Sequence, residues 1–119
     1  MNKKELEERL IRFAVLIIQI SQQLKNSKAG NHLAGQIVRS GTSPALNYGE
    51  AQSAESQKDF IHKMKIVLKE LRETYINLKI IDYADLSNDK NTILEALNEC
   101  NELISIFVVS IKTAQEKMN

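Results

Sequence analysis

Apolar residues recur every three or four positions along most of the chain, and this spacing constrains the fold more than any other feature of the sequence. In the first helix-length segment the series reads Leu6, Leu10, Phe13, Ile17, Ile20 and Leu24. Comparable series run through residues 60–81 and 93–114. Because residues three or four apart share one face of an α-helix, the spacing predicts amphipathic helices. With 4 Gly and 1 Pro among 119 residues, the chain has too few turn signals for a β-sandwich.

Polar stretches separate these series. Residues 26–31 and 86–91 carry Gly, Ser, Asn and Asp, which are typical of loops. Short connections favour antiparallel neighbours, so the expected fold class is all-α, an antiparallel up-and-down four-helix bundle forming a single domain over residues 1–119. The predicted helices lie at about 3–25, 30–54, 56–85 and 90–117.

The second predicted helix contains the proline of the chain, Pro44. Proline has no backbone N–H, and its ring clashes with the carbonyl four residues earlier. We therefore expect this helix to kink or restart near residues 43–44, with Ser43 as N-cap and Pro44 as the first helical residue. Ser56 followed by Asp59 resembles a capping box at the start of the third helix.

A polar line along the second helix is expected to face the third. If the two helices form a hairpin that turns near residues 54–55, facing residues have numbers that sum to roughly 110. The favoured interpretation of such a seam is structural, since buried polar pairs fix helix register. A ligand or catalytic site is the alternative. The predicted polar seam consists of Arg39, Ser43, Asn47, Glu50, Lys63 and Glu70.

A helical wheel of the third helix gathers basic residues on one outer face, which we call the basic strip. Lines of cations can follow a phosphate backbone, although Lys and Arg are also common on solvated helix faces. Tyr75 and Tyr83 are expected to lie off the strip, which weakens the case for single-strand recognition. The strip consists of Lys58, His62, Lys65, Lys69, Arg72 and Lys79, and all of these except His62 are candidate nucleic-acid contacts.

The net charge conceals this segregation. The chain has 16 Lys and Arg against 15 Asp and Glu, a formal charge of +1, which excludes a uniformly basic domain but leaves room for a local basic patch. The fourth helix has the opposite bias, because Glu95, Glu99 and Glu102 fall on one outer line.

The first helix carries more apolar surface than one interface needs. Ile11, Ala14 and Ile18 form a second apolar line beside the main series. Either the helix touches two neighbours within the bundle, or another copy of the chain covers the surplus. The sequence leaves both open.

No pattern for catalysis, metal binding or a cofactor stands out. Phosphate-loop motifs and Glu-x-x-His pairs are absent, and two His with one Cys make a poor zinc set. Asp59 and His62 give only a weak Asp-x-x-His pattern. Cys100 is expected to be a small core residue, and a single Cys cannot form an internal disulfide. We predict a cytoplasmic, non-membrane protein that is not an enzyme and has no cofactor.

Several segments together resemble a known family. Residues 39–51 read Arg-Ser-Gly-Thr-Ser-Pro-Ala-Leu-Asn-Tyr-Gly-Glu-Ala, and residues 56–63, 68–73 and 102–114 continue the likeness. They are similar to the four-helix bundle proteins encoded in 23S rRNA intervening sequences. The resemblance covers nearly the whole chain, and Pro44 departs from the aliphatic residue usual there. The positions that match the family motif are Arg39, Ser43, Asn47, Glu50, Asp59, Lys63 and Glu70.

The resemblance implies a small bacterial protein that forms a ring-like homopentamer. It also implies a relationship to the accessory protein of diversity-generating retroelements, a relative that binds nucleic acid and a reverse transcriptase. It implies no established activity for the intervening-sequence proteins themselves. Our leading hypothesis is therefore a non-enzymatic oligomeric scaffold associated with RNA or DNA. The alternative is a protein-interaction module that uses the surplus apolar surface and the acidic line of the fourth helix.

Overall fold

Four antiparallel helices make up the computed structural model, which describes residues 1–118. They are α1 (Lys3–Gln22), α2 (Lys28–Ala51), α3 (Gln57–Tyr83) and α4 (Lys90–Met118). α1 packs on α2, α2 on α3 and α3 on α4, and α4 returns to α1 over a smaller interface. The bundle measures 49 × 21 × 21 Å. The all-α, antiparallel up-and-down four-helix bundle expected from the apolar spacing is confirmed.

Polar side chains cap the starts of three helices. Asn2, Ser27 and Ser56 each accept a hydrogen bond from the backbone N–H three residues later, at 2.8 to 3.0 Å. Because Ser27 is the cap of α2, this helix begins two residues earlier than predicted. Asp59 completes the pattern at the start of α3, but its carboxylate accepts from the backbone N–H of Glu55 rather than from that of the cap itself.

The end of α1 is set by a contact with the other loop at the same end of the bundle. α1 stops at Gln22, three residues before the predicted end. Leu24 forms an isolated antiparallel bridge with Ser87, and the N–H of Lys25 donates to the carbonyl of Leu86 at 2.8 Å. The backbone that a longer helix would use is therefore paired with the α3–α4 loop.

α3 ends in a Schellman turn that contains no glycine. The N–H of Leu86 donates to the carbonyl of Ile81, and the N–H of Asp85 donates to the carbonyl of Asp82, both at 3.1 Å. Asp85 takes the left-handed position, with a φ of 56°. Asp tolerates this region better than most residues with a Cβ.

α2 runs through Pro44 as one helix, so the expectation of a restart at Ser43 is wrong. Ser43 is an interior helical residue, and its hydroxyl and carbonyl oxygens both accept from the amide of Asn47. The proline removes one hydrogen bond, to the carbonyl of Ser40. Its ring is buried, and packing of α2 against both α1 and α3 holds the helix together across the gap.

The predicted apolar series form the core. Large side chains such as Phe13, Ile17 and Phe107 are almost completely buried. The ring of Tyr48 meets that of Phe107 edge-on, with centroids 5.6 Å apart. α1 and α2 approach closely at Gly41, where an added Cβ would lie 2.6 Å from Cγ2 of Ile17.

Candidate nucleic-acid interface

The basic strip lies on the outer face of α3. Lys58, Lys65, Lys69 and Arg72 are exposed, as is His62 between them. Within residues 1–118, none of the four Lys and Arg side chains lies within 4.0 Å of a carboxylate oxygen. At 1.5 Å per residue, Lys58 and Arg72 are about 21 Å apart along the helix. These four side chains therefore form a line of cations that is free to meet an anion.

The last cation of the strip has a different environment. Lys79 is half-buried, and its Nζ lies 5.8 Å from the ring centroid of Tyr75 and 5.5 Å from that of Tyr83. Both distances are within the range of a cation–π contact. The expectation that the two tyrosines lie off the strip is therefore wrong at the C-terminal end of α3, where both rings contact Lys79.

The predicted polar seam contains an ion-pair cluster between α2 and α3. Arg39 donates to Glu70 at 3.0 Å and to Glu73 at 2.6 Å. The hydrogen bond to Glu73, followed by the charge of Glu70, raises the pKa of the Arg39 guanidinium. The Glu70 side chain is only 10 % exposed, so Arg39 supplies the positive charge that its carboxylate needs.

Other residues of the seam meet less closely. Nζ of Lys63 lies 3.8 Å from a carboxylate oxygen of Glu50, which is mostly exposed. Asn47 turns back to Ser43 on its own helix, at 2.8 Å, instead of reaching across to α3. The six seam residues therefore form three pairs. Arg39 with Glu70 and Lys63 with Glu50 join α2 to α3, whereas Ser43 and Asn47 bond to each other within α2.

A buried hydroxyl pair also links α2 to α3 and was not included in the seam. Thr74 donates to Ser40 at 3.0 Å, and both side chains are fully buried. Asn77 also lies 3.4 Å from the same Ser40 oxygen. Ser40 is a polar residue of α2 next to Arg39 of the seam, and the hairpin arithmetic pairs it with residues near 70–74, so the sequence held a usable signal for this contact.

Sequence reasoning missed the principal polar tie between α1 and α4. Arg9 donates twice to Glu99, at 2.7 and 2.6 Å, and its guanidinium lies 3.4 Å from Glu102. The hydrogen bond to Glu99 raises the pKa of the Arg9 guanidinium. Two of the three carboxylates of the predicted acidic line, all but that of Glu95, therefore meet a cation within the same chain.

An apolar face remains open on α1. Ile11, Val15 and Ile18 are 43 %, 47 % and 36 % exposed, whereas Ala14 is buried within the bundle. The second apolar line of the first helix is therefore divided between the bundle core and solvent. We call Ile11, Val15 and Ile18 the α1 apolar face.

Within residues 1–118, no three His, Cys, Asp or Glu side chains lie together in a way that could hold a metal ion. His32 and His62 are exposed. Cys100 is completely buried against the carbonyl of Leu71, and burial raises the pKa of its thiol to about 12. None of the helices described here is both long and apolar enough to cross a membrane.

The model of the 23S rRNA-intervening sequence protein family matches residues 3–108 of this chain. The chain belongs to this family. The family segment spans all of α1 to α3 and much of α4, so it contains the basic strip, the polar seam and both partners of the Arg9 tie.

A solved structure agrees with the family assignment. The chain is 30 % identical to a protein of unknown function from the S23 ribosomal protein family of Bacteroides thetaiotaomicron, with a TM-score of 0.84. The match covers 94 % of this chain and 99 % of that one. No curated protein matches the sequence. The fold of this chain is therefore shared with a solved protein of the S23 family.

Proposed function

We propose that the protein is a non-enzymatic, self-associating four-helix bundle that binds the phosphate backbone of nucleic acid through the basic strip of α3. The observation that carries this proposal is the row of four exposed cations, Lys58, Lys65, Lys69 and Arg72, none of which pairs with a carboxylate within residues 1–118. Binding to phosphate releases condensed counterions, and this release is a general source of affinity for nucleic acid.

A contrast with the ion-paired cations of the bundle supports this choice. Arg9 and Arg39 are held by carboxylates at 2.6 to 3.0 Å, and Lys63 has Glu50 nearby. Such cations would have to leave an existing partner before they could bind a phosphate. The strip residues carry no such cost.

Self-association is the second part of the proposal. The α1 apolar face leaves three aliphatic side chains partly in water, and a second copy of the chain would bury them. A symmetric assembly, the pentamer that the family resemblance implies, would repeat the basic strip and raise the avidity for a long polyanion. We place this assembly in the cytoplasm, where a buried free Cys is under no pressure to be oxidised.

A salt titration with labelled RNA and DNA tests the binding. For a duplex that meets all four cations, log K should fall against log salt concentration with a slope of about −3.6 per subunit. At 0.1 M salt each lost contact costs about eightfold, so the triple variant Lys65→Glu, Lys69→Glu, Arg72→Glu should bind roughly 500-fold more weakly.

The matched control reverses three charges elsewhere. Lys4, Lys28 and Lys117 are exposed and lie on the other three helices. The variant Lys4→Glu, Lys28→Glu, Lys117→Glu has the same net charge as the strip variant and should retain most of the affinity. If both variants lose affinity equally, the total charge and not the strip governs binding. Binding that does not depend on salt would also contradict the proposal.

Sedimentation or light scattering tests the assembly. Val15→Glu places a charge in the α1 apolar face, and since Val15 is 47 % exposed, the change should dissociate the assembly without unfolding the subunit. A wild-type monomer at micromolar concentration would contradict self-association.

The α1 apolar face also supports a second candidate, a protein-interaction module without nucleic-acid binding. The acidic line of α4 adds less to this alternative than the sequence suggested, because Arg9 meets Glu99 and Glu102. Recovery of the same partner from lysate with and without nuclease, together with no binding to RNA or DNA, would favour it.

A further inference from the structure

The outer face of α3 changes character along its length. Its first half carries the free cations of the basic strip, which end at Arg72. Beyond Arg72, the same face presents apolar and aromatic side chains to solvent: Ile76 and Ile80 are about half exposed, and Tyr83 is 79 % exposed. This arrangement fits the two chemical parts of a nucleotide strand, because cations attract the phosphates and an exposed ring can stack on a base.

The Tyr83 ring has a defined position. Nζ of Lys79 lies 5.5 Å from its centroid and also contacts the ring of Tyr75 one turn earlier. This contact holds the side chain against α3 and lowers the entropy that binding would cost. Lys79 occupies one side of the ring, and the high exposure of Tyr83 leaves the other side open.

We propose that Tyr83, held by Lys79, is a stacking platform for an unpaired base, so that the strip binds single-stranded nucleic acid in preference to duplex. Arg72 and Tyr83 are about 16 Å apart along the helix, a distance spanned by about five stacked nucleotides or fewer when extended. In a duplex the bases are already paired and stacked, and only a single strand can place a free base on the ring while its phosphates meet the cations.

This inference rests on the proposed binding of nucleic acid through the basic strip. The experiment compares a single-stranded 12-nucleotide RNA with a duplex of the same sequence, by fluorescence anisotropy at fixed salt. Wild type should prefer the single strand. Tyr83→Ala should weaken single-strand binding by about 5- to 150-fold, the range measured for loss of one stacked base, and should change duplex binding by less than about twofold.

Two further variants distinguish stacking from a general loss of surface. Tyr83→Phe keeps the ring and should bind like wild type. Tyr83→Trp introduces a tryptophan into a chain that has none, and its fluorescence should be quenched by the single strand and not by the duplex. Tyr83 lies exposed in the last turn of α3, so all three variants should keep the helical circular dichroism of wild type.

The two proposals fail in different ways. If Tyr83→Ala binds the single strand as tightly as wild type while Lys69→Glu with Arg72→Glu weakens it, the stacking platform is refuted and the strip proposal stands. If wild type prefers the duplex, the stacking platform is refuted too. If wild type binds neither RNA, both proposals fail.

Discussion

Gly41→Ala is expected to destabilise the bundle, although alanine is the better helix former. Gly41 lies inside α2 where this helix meets α1. An added Cβ would lie 2.6 Å from Cγ2 of Ile17 and 2.9 Å from both its Cβ and its Cγ1. Ile17 is fully buried, and a β-branched side chain in a helix has one strongly preferred rotamer, so it cannot turn away.

The size of the expected destabilisation follows from how far α1 and α2 must move apart to make room for the new Cβ. Carbon atoms prefer distances of about 3.5 to 4.0 Å, so α1 and α2 would have to move apart by about 1 Å at this point. Overpacking of this kind costs typically 1 to 3 kcal/mol, and rigid neighbours favour the upper part of that range. The gain in helix propensity from glycine to alanine is about 1 kcal/mol. The expected net loss is about 1 to 2 kcal/mol, or roughly 4 to 8 °C in Tm for a chain of this size.

Urea and thermal denaturation followed by circular dichroism provide the measurement. Gly35 is the matched control: it lies in the same helix, is exposed, and has no heavy atom within 4 Å of an added Cβ. Gly35→Ala should therefore raise stability by about 0.5 to 1 kcal/mol. The two Gly→Ala substitutions should therefore change the free energy of unfolding in opposite directions. Equal stabilisation by both would show that α1 and α2 do not approach closely at Gly41.

Four further outcomes follow from the polar contacts and the buried thiol. Arg9→Ala should cost about 1 to 3 kcal/mol in urea denaturation because it leaves a half-buried carboxylate unpaired, whereas Arg12→Ala, on an 80 % exposed side chain, should stay within about 0.5 kcal/mol. Arg39→Met should likewise lower the free energy of unfolding by about 1 to 3 kcal/mol, and a mutant as stable as wild type would show that the buried Glu70 carboxylate does not depend on Arg39. Cys100 should react with iodoacetamide at pH 8 at least about 100-fold more slowly in the native protein than in denaturant, as read by mass spectrometry; rapid native labelling would contradict its burial. Because the folded thiol has a raised pKa of about 12, its contribution to stability should be complete below about pH 8.5 and be lost as the pH rises toward 12.

Much of the candidate interface was accessible from the sequence because it lies within one helix. The positions of Lys65, Lys69 and Arg72 on one face follow from 3.6 residues per turn and need no knowledge of the neighbours. The hairpin arithmetic similarly placed Arg39 opposite Glu70 or Glu73, and Arg39 meets both, since two antiparallel helices joined by a short turn have nearly fixed register.

Contacts between distant parts of the chain were not accessible in the same way. Arg9 and Glu99 are 90 residues apart, and their meeting depends on how α1 and α4 are rotated about their own axes. The end of α1 depends on a bridge between Leu24 and Ser87, which are also far apart in the chain. A local sequence pattern specifies neither the rotation of these helices nor the pairing of the two loops.

The sequence by itself determined the four amphipathic helices, their approximate bounds and the all-α antiparallel bundle, because helical periodicity and turn residues are local properties. Tertiary structure alone decided which surfaces and charges stay available. The packing of the helices buried some of the surplus apolar residues of α1 and left others exposed. It also paired Arg9 and Arg39 with carboxylates and brought Lys79 into contact with two tyrosine rings. The physical reason is that each of these outcomes depends on the rotation of one helix against another and on side-chain rotamers, which are selected by packing partners far away in the chain.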